Sequence, residues 1–65
     1  MIYQIELIEL ITGNPIRFTI GNNGVLEIKE HPAQGEGDKW YYDVILEKGE
    51  SFRFFNVDNV HYKSN

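Results

Sequence analysis

Leu10-Ile11-Thr12-Gly13-Asn14-Pro15-Ile16-Arg17-Phe18 is the stretch that decides the fold, because the chain uses its pattern twice. Leu46-Glu47-Lys48-Gly49-Glu50-Ser51-Phe52-Arg53-Phe54 repeats it: leucine, two residues, glycine, two residues, an apolar side chain, arginine, phenylalanine. Each copy reads as an apolar strand end, a glycine turn, and a strand whose side chains alternate inward and outward. An Asn-rich turn follows each copy (Gly21-Asn22-Asn23-Gly24 and Asn56-Val57-Asp58-Asn59), and then a third short strand. The chain therefore reads as two similar meanders in one small all-β domain over residues 1–65.

Upstream of the first copy, a strand is predicted from Ile2 to Ile11. Tyr3, Ile5 and Leu7 share one parity, and Ile8 and Leu10 the other. A bulge near Leu7-Ile8 would let both halves face a core. A helix is the alternative, since Ile5, Ile8 and Ile11 are spaced by three. The β-branched residues favour the strand. Between the copies, Leu26 and Ile28 are predicted to point inward from a third strand, with Glu27 and Lys29 outward. A polar loop from His31 to Asp38 comes next. The fourth strand is predicted over Lys39 to Glu47, with Trp40, Tyr42, Val44 and Leu46 on one parity and Tyr41, Asp43 and Ile45 on the other. Ser51 to Phe55 is the fifth strand. Val57 to Asn59 suits a single helical turn, and Val60 and Tyr62 a last strand.

This element order, five to six short strands with a mobile loop after the third and a tight turn before the last, resembles the SH3-like barrel architecture. The fold expected is a small five- to six-stranded SH3-like barrel or a twisted antiparallel meander. The acidic-aromatic segment and proline-binding tyrosines of signalling SH3 domains are missing, so the resemblance implies nothing about proline-rich ligands.

Composition narrows the function classes. Sixty-five residues carry ten acidic and six basic side chains, for a net charge of −4, and no cysteine. Scattered lysines and an acidic balance argue against a nucleic-acid binder, whose affinity depends on neutralising phosphates. Anionic membranes are disfavoured on the same ground. No apolar run reaches the roughly 18–20 residues of a spanning helix. Glutamates interrupt the N-terminal apolar stretch, which excludes a signal peptide and makes the cytoplasm the expected compartment. Without cysteine there is neither a disulfide nor a thiolate metal site.

Catalytic chemistry finds little support. Ser51 lies in a turn and Ser64 at the tail. His31 precedes a proline at a loop edge and reads as a solvated histidine; His61 reads as a surface residue between Val60 and Tyr62. Paired acids (Glu6 and Glu9, Glu27 and Glu30, Glu36 and Asp38) read as solvated charges that keep strand edges from pairing with other chains. Glu36 and Asp38 lack the ligand count of a calcium site. No catalytic residue, metal or cofactor is expected.

Two features point to recognition. Arg17 and Arg53 hold the same place in the two repeats. Each suits a cross-strand salt bridge to Glu6, Glu9, Asp43 or Glu47, or else the bidentate grip of an anion. The second feature is an aromatic excess on the outer parity of strands four and five, where Tyr41, Ile45 and Phe55 accompany Arg53. A domain this small cannot bury both faces of a sheet, and exposed Tyr, Phe and Arg mark interfaces.

The function expected is a non-enzymatic interaction module anchored by Tyr41, Ile45, Arg53 and Phe55, with the 31–38 loop as an adaptable rim. Its size and acidity suit an accessory or inhibitory protein, of the kind phages and mobile elements encode, that blocks a basic surface on a larger protein. The alternative is a homo-oligomer that captures an anionic metabolite or nucleotide with Arg17, Arg53 and Tyr41. A nucleic-acid-binding barrel ranks last, since it needs a continuous basic face.

Overall fold

The computed structural model of the chain describes residues 1–64. Six strands run β1 (Ile2–Ile8), β2 (Pro15–Thr19), β3 (Val25–His31), β4 (Tyr41–Leu46), β5 (Ser51–Phe54) and β6 (Asn59–Tyr62). They form two antiparallel three-stranded sheets, ordered β2-β1-β6 and β3-β4-β5. The all-β class is as the alternation predicts, but the expected barrel does not close: the described residues make two separate sheets. Only the second sheet is a meander. Among the described residues no helix is long and apolar enough to cross a membrane.

The duplicated pattern explains this topology. In each copy the glycine turn closes a hairpin, β1-β2 and then β4-β5. Gly13 and Gly49 hold equivalent places in those turns with φ of 74° and 94°, a backbone region that side chains with a Cβ rarely enter. The third strand of each copy then leaves its own hairpin. β3 pairs with β4, and β6 pairs with β1. Exchanging β1, β2 and β3 for β4, β5 and β6 thus maps one sheet onto the other. The two units interlock, where the sequence suggested two self-contained meanders. Positive φ at Gly21, Asn23 and Gly24 lets the chain turn between sheets after β2.

Bulges set which side chains reach the core. The ladder between β1 and β6 shifts between Ile2 and Gln4. This puts Ile2 and Ile5 on the same side, both buried, and turns Tyr3 out. The bulge expected at Leu7-Ile8 is therefore at the other end of the strand. β1 also stops at Ile8, because the Glu9 N–H donates to the Asn14 carbonyl at 2.9 Å and closes the turn early. A second shift, between Val25 and Glu27, buries Val25 and Ile28 and exposes Leu26, which the alternation had placed inside.

The core consists of Ile2, Ile5, Val25, Ile28, Tyr42 and Val44, drawn from both sheets. Phe18 and Phe54, equivalent in the two repeats, pack against it and meet with ring centroids 5.1 Å apart. Five of these six core residues are aliphatic, so most of the aromatic side chains lie at the periphery. The turn predicted at Val57–Asn59 is not helical. Instead Val57 packs on the core, the Asp58 N–H donates to the Glu6 carbonyl at 2.9 Å, and the Asp58 carboxylate accepts from the Ile8 N–H at 2.8 Å.

Candidate functional site

Strand register places side chains of the same parity in rows across each outer face. On β3-β4-β5, Lys29, Asp43 and Arg53 form one row, and Glu27, Ile45 and Ser51 another. His31 lies opposite Tyr41, and Phe55 extends that row beyond the end of β5. Three of the four predicted anchors, Tyr41, Arg53 and Phe55, are therefore brought into contact. Ile45 is half-buried on the same face, two residues along β4 from Asp43.

Tyr41 is the centre of this cluster. Its ring stacks on the His31 imidazole, with centroids 4.4 Å apart and planes at 10°. The Arg53 guanidinium carbon sits 4.3 Å above the ring centre, a cation–π contact. Phe55 meets it at 5.4 Å, tilted by 44°. Arg53 also donates from Nε and Nη2 to the two carboxylate oxygens of Asp43, at 2.9 and 3.2 Å. These hydrogen bonds hold the Asp43 carboxyl below its usual range and raise Arg53 further. A flat, pre-set guanidinium lies over a ring that can turn little, which lowers the ordering cost of any contact they make.

His31 does not behave as the solvated loop residue expected. It ends β3, and its Nε2 is buried 3.2 Å from Asp43 Oδ2, off the line a hydrogen bond requires. The signal for this was available in the alternation: a third strand prolonged to His31 puts it beside Tyr41. Asp43, the acid that joins His31 and Arg53, shares its parity with Tyr41 and Ile45. The loop that follows is organised by Asp38, whose carboxylate accepts from the backbone N–H of Gln34 at 2.7 Å and of Lys39 at 2.9 Å. Those bonds lower the Asp38 carboxyl.

The opposite sheet supplies an internal comparison. On β2-β1-β6 the equivalent row is Arg17, Glu6 and Asn59. Glu6 accepts from Arg17 Nε and, at 3.2 Å, from Asn59 Nδ2, and both bonds lower its carboxyl. The positions matching Tyr41 and Phe55 are Gln4 and Thr19, joined by a hydrogen bond of 2.7 Å from Gln4 Nε2 to Thr19 Oγ1. The position matching His31 is His61, which lies opposite Gln4. One outer face is thus polar at the places where the other is aromatic. Arg17 and Arg53 stand on different sheets, each held by a carboxylate of its own.

A further polar link joins the sheets at the far edge. Glu30 of β3 accepts from the Tyr62 hydroxyl of β6 at 2.6 Å and from the Tyr42 hydroxyl at 3.3 Å. The bond to Glu30, with lesser contributions from burial and the carboxylate charge, pushes the Tyr62 hydroxyl up to about 12.

Outside these rows, the β1–β2 turn presents Leu10 and Ile11, each 92% exposed. Sequence alternation had assigned them to a strand. With Ile8, Ile16, Phe54 and Phe55 they border an open groove of about 490 Å³, with Arg53 and Glu9 at its sides. Comparison of the chain with protein-family models, with curated proteins and with solved structures finds no match in any of the three.

Proposed function

We propose that this protein is a non-enzymatic interaction module that binds a larger protein through the outer face of β3-β4-β5. The observation that supports this reading is the contrast between the two equivalent faces. Gln4 and Thr19 show what a polar row looks like in this fold, half-buried with its polar groups bonded to each other. Tyr41 and Phe55 replace them with an aromatic pair capped by Arg53, the residue types that dominate interface energetics. Phe55 is 52% exposed, a placement that folding alone does not favour.

A net charge of −4 favours partners with basic surfaces, since long-range attraction speeds encounter. Size and acidity suit an accessory or inhibitory protein of the kind that phages and mobile elements encode. The small-ligand alternative places Arg17 or Arg53 with tyrosines at a subunit junction; within one chain each arginine is already engaged by an acid.

The test transplants one face onto the other: Tyr41→Gln with Phe55→Thr. Native mass spectrometry of the gently purified tagged chain should show a heteromeric complex for the wild type. The double variant should emerge alone, with its thermal midpoint little changed. Retention of the partner by the folded variant would refute the assignment of this face.

A further inference from the structure

Two open sheets expose four edge strands, β2, β6, β3 and β5. Natural proteins guard such edges with proline, charge or bulges, because unpaired N–H and C=O groups invite another strand. β2 begins with Pro15, which has no N–H, and its Thr19 carbonyl is taken by the Asn22 N–H at 3.0 Å. β3 is bulged between Val25 and Glu27 and carries Glu27, Lys29 and Glu30. The β6 ladder is irregular, and Tyr62 ties β6 to Glu30. β5 has neither a proline nor a bulge. Its sequence is Ser-Phe-Arg-Phe, and the one charge, Arg53, is already matched by Asp43.

The register shows which backbone groups of β5 are free. The Leu46 N–H donates to the Glu50 carbonyl at 2.8 Å, so those two residues form a hydrogen-bonded pair. Such pairs alternate along an antiparallel ladder. Val44–Phe52 and Tyr42–Phe54 are the next ones, and the N–H and C=O of Ser51, Arg53 and Phe55 face away from β4. Among the described residues these groups have no backbone partner outside the ladder. β2 does not supply one: it belongs to the other sheet, and Phe18 and Phe54 meet across the gap as side chains.

We infer that the free edge of β5 takes up an extended segment of the partner as an added strand. This rests on the reading of the chain as an interaction module and specifies what it binds. Alternate side chains of the added strand would enter the groove bordered by Ile8, Leu10, Ile11, Ile16, Phe54 and Phe55. Charge selects the rest of its chemistry. Glu50 begins the edge and Glu9 lies at the groove, and among the described residues neither is in an ion pair. The segment bound is therefore apolar at alternate positions and basic at both ends. A second copy of this acidic chain would bring carboxylate to carboxylate at those places.

The probe is the heptapeptide acetyl-Lys-Val-Thr-Phe-Thr-Val-Lys-amide, as long as the run from Glu50 to Asn56. Two controls accompany it: a version with glutamate at both ends, and one N-methylated at the amides that would face β5. Binding is read by fluorescence anisotropy, and amide exchange by NMR on the intact chain. The lysine peptide should bind and slow exchange at Arg53 and Phe55. The glutamate version should bind roughly tenfold more weakly, and the methylated one should not bind. Ser51→Pro, which removes an N–H that faces away from β4, should weaken binding without unfolding the chain.

Binding that survives methylation, or protects no β5 amide, would overturn strand addition in favour of side-chain docking. Failure of every peptide to bind would overturn it as well. Self-association of the unliganded chain with the same amides protected would assign the edge to a second copy and refute the basic segment. Loss of partner capture in the Tyr41/Phe55 variant, combined with no peptide binding, would remove strand addition and leave the interaction-module reading standing.

Discussion

Ile5, Ile8 and Ile11 offer a direct test of the fold, because their spacing by three also fits a helix. On one helical face the three isoleucines would be buried alike. In this structure they are 0%, 41% and 92% exposed. Isoleucine-to-alanine removes three carbons, about 2.4 kcal/mol of transfer free energy at ~0.8 kcal/mol per buried methylene. Scaled by burial, that is about 2.4 kcal/mol for Ile5, ~1.4 for Ile8 and ~0.2 for Ile11. A cavity at Ile5 adds to its cost, since the site is enclosed by both sheets, so about 3–4 kcal/mol is expected there. A 65-residue domain has roughly 3–10 kcal/mol in total. Ile5→Ala should therefore remove roughly a third or more of the stability and unfold the chain at the low end of that range, while Ile11→Ala should be nearly silent. Ile5→Val, at about 0.5–1.5 kcal/mol, keeps the series measurable if alanine unfolds the protein. Urea unfolding followed by circular dichroism gives each value. Equal costs at Ile5 and Ile11 would refute the strand, its bulge and the core drawn from it.

Two more predictions concern the ion pairs and the turns. Glu6 and Asp43 have carboxyls lowered by arginine hydrogen bonds from ordinary values of 4.5 and 3.8, so their contribution is complete above those values. It is lost as pH falls through the lower folded values, and the thermal midpoint should drop from about pH 5 downward; Arg17→Gln with Arg53→Gln should flatten that drop, and an unchanged slope would sink the assignment. Gly13→Ala and Gly49→Ala should each cost about 1–2 kcal/mol in thermal unfolding, because φ is positive while nothing within 4 Å would meet the new methyl. Gly35→Ala, where φ lies outside that region, should be neutral or slightly stabilising, and equal losses at all three glycines would show that backbone strain is not the cause.

Local alternation was a good guide in the middle of the sheets and failed at their margins, where Phe52, on the edge strand β5, and Trp40, ahead of β4, share the inward parity and are exposed. It put Phe18, Tyr42, Val44 and Phe54 toward the core and Arg17 and Arg53 away from it. It failed at Tyr3 and Leu26, where one extra residue in the ladder reverses the parity of its neighbours. A bulge depends on how two distant strands pair, so the residues around it carry no mark of it. The exchange of third strands is hidden for the same reason. β3 on β4 and β3 on β2 bury the same side chains, and only long-range packing chooses. The aromatic cluster around Tyr41 was legible as far as Tyr41, Arg53 and Phe55 share a parity. The parts played by His31 and Asp43 depend on where β3 stops, and element ends are the weakest part of a sequence reading.

The exchange of third strands also governs the order in which the protein can be made. Ile2 pairs with Tyr62, so β1 waits for β6, the sixth strand in chain order. While the ribosome still holds residues 59–62, β1 and β2 form a hairpin with one side unpaired, and an isolated hairpin is marginal in water. The β3-β4-β5 sheet is available sooner, but its core lacks Ile2 and Ile5 until β1 docks. Native structure should therefore appear only after the final strand emerges, in one cooperative step at the unhurried rate of non-local β pairing. Until that moment Val25, Ile28, Tyr42 and Val44 lack the cover that Ile2 and Ile5 give them in the folded core. A chain of this design thus runs its greatest risk of mispairing before β6 joins β1.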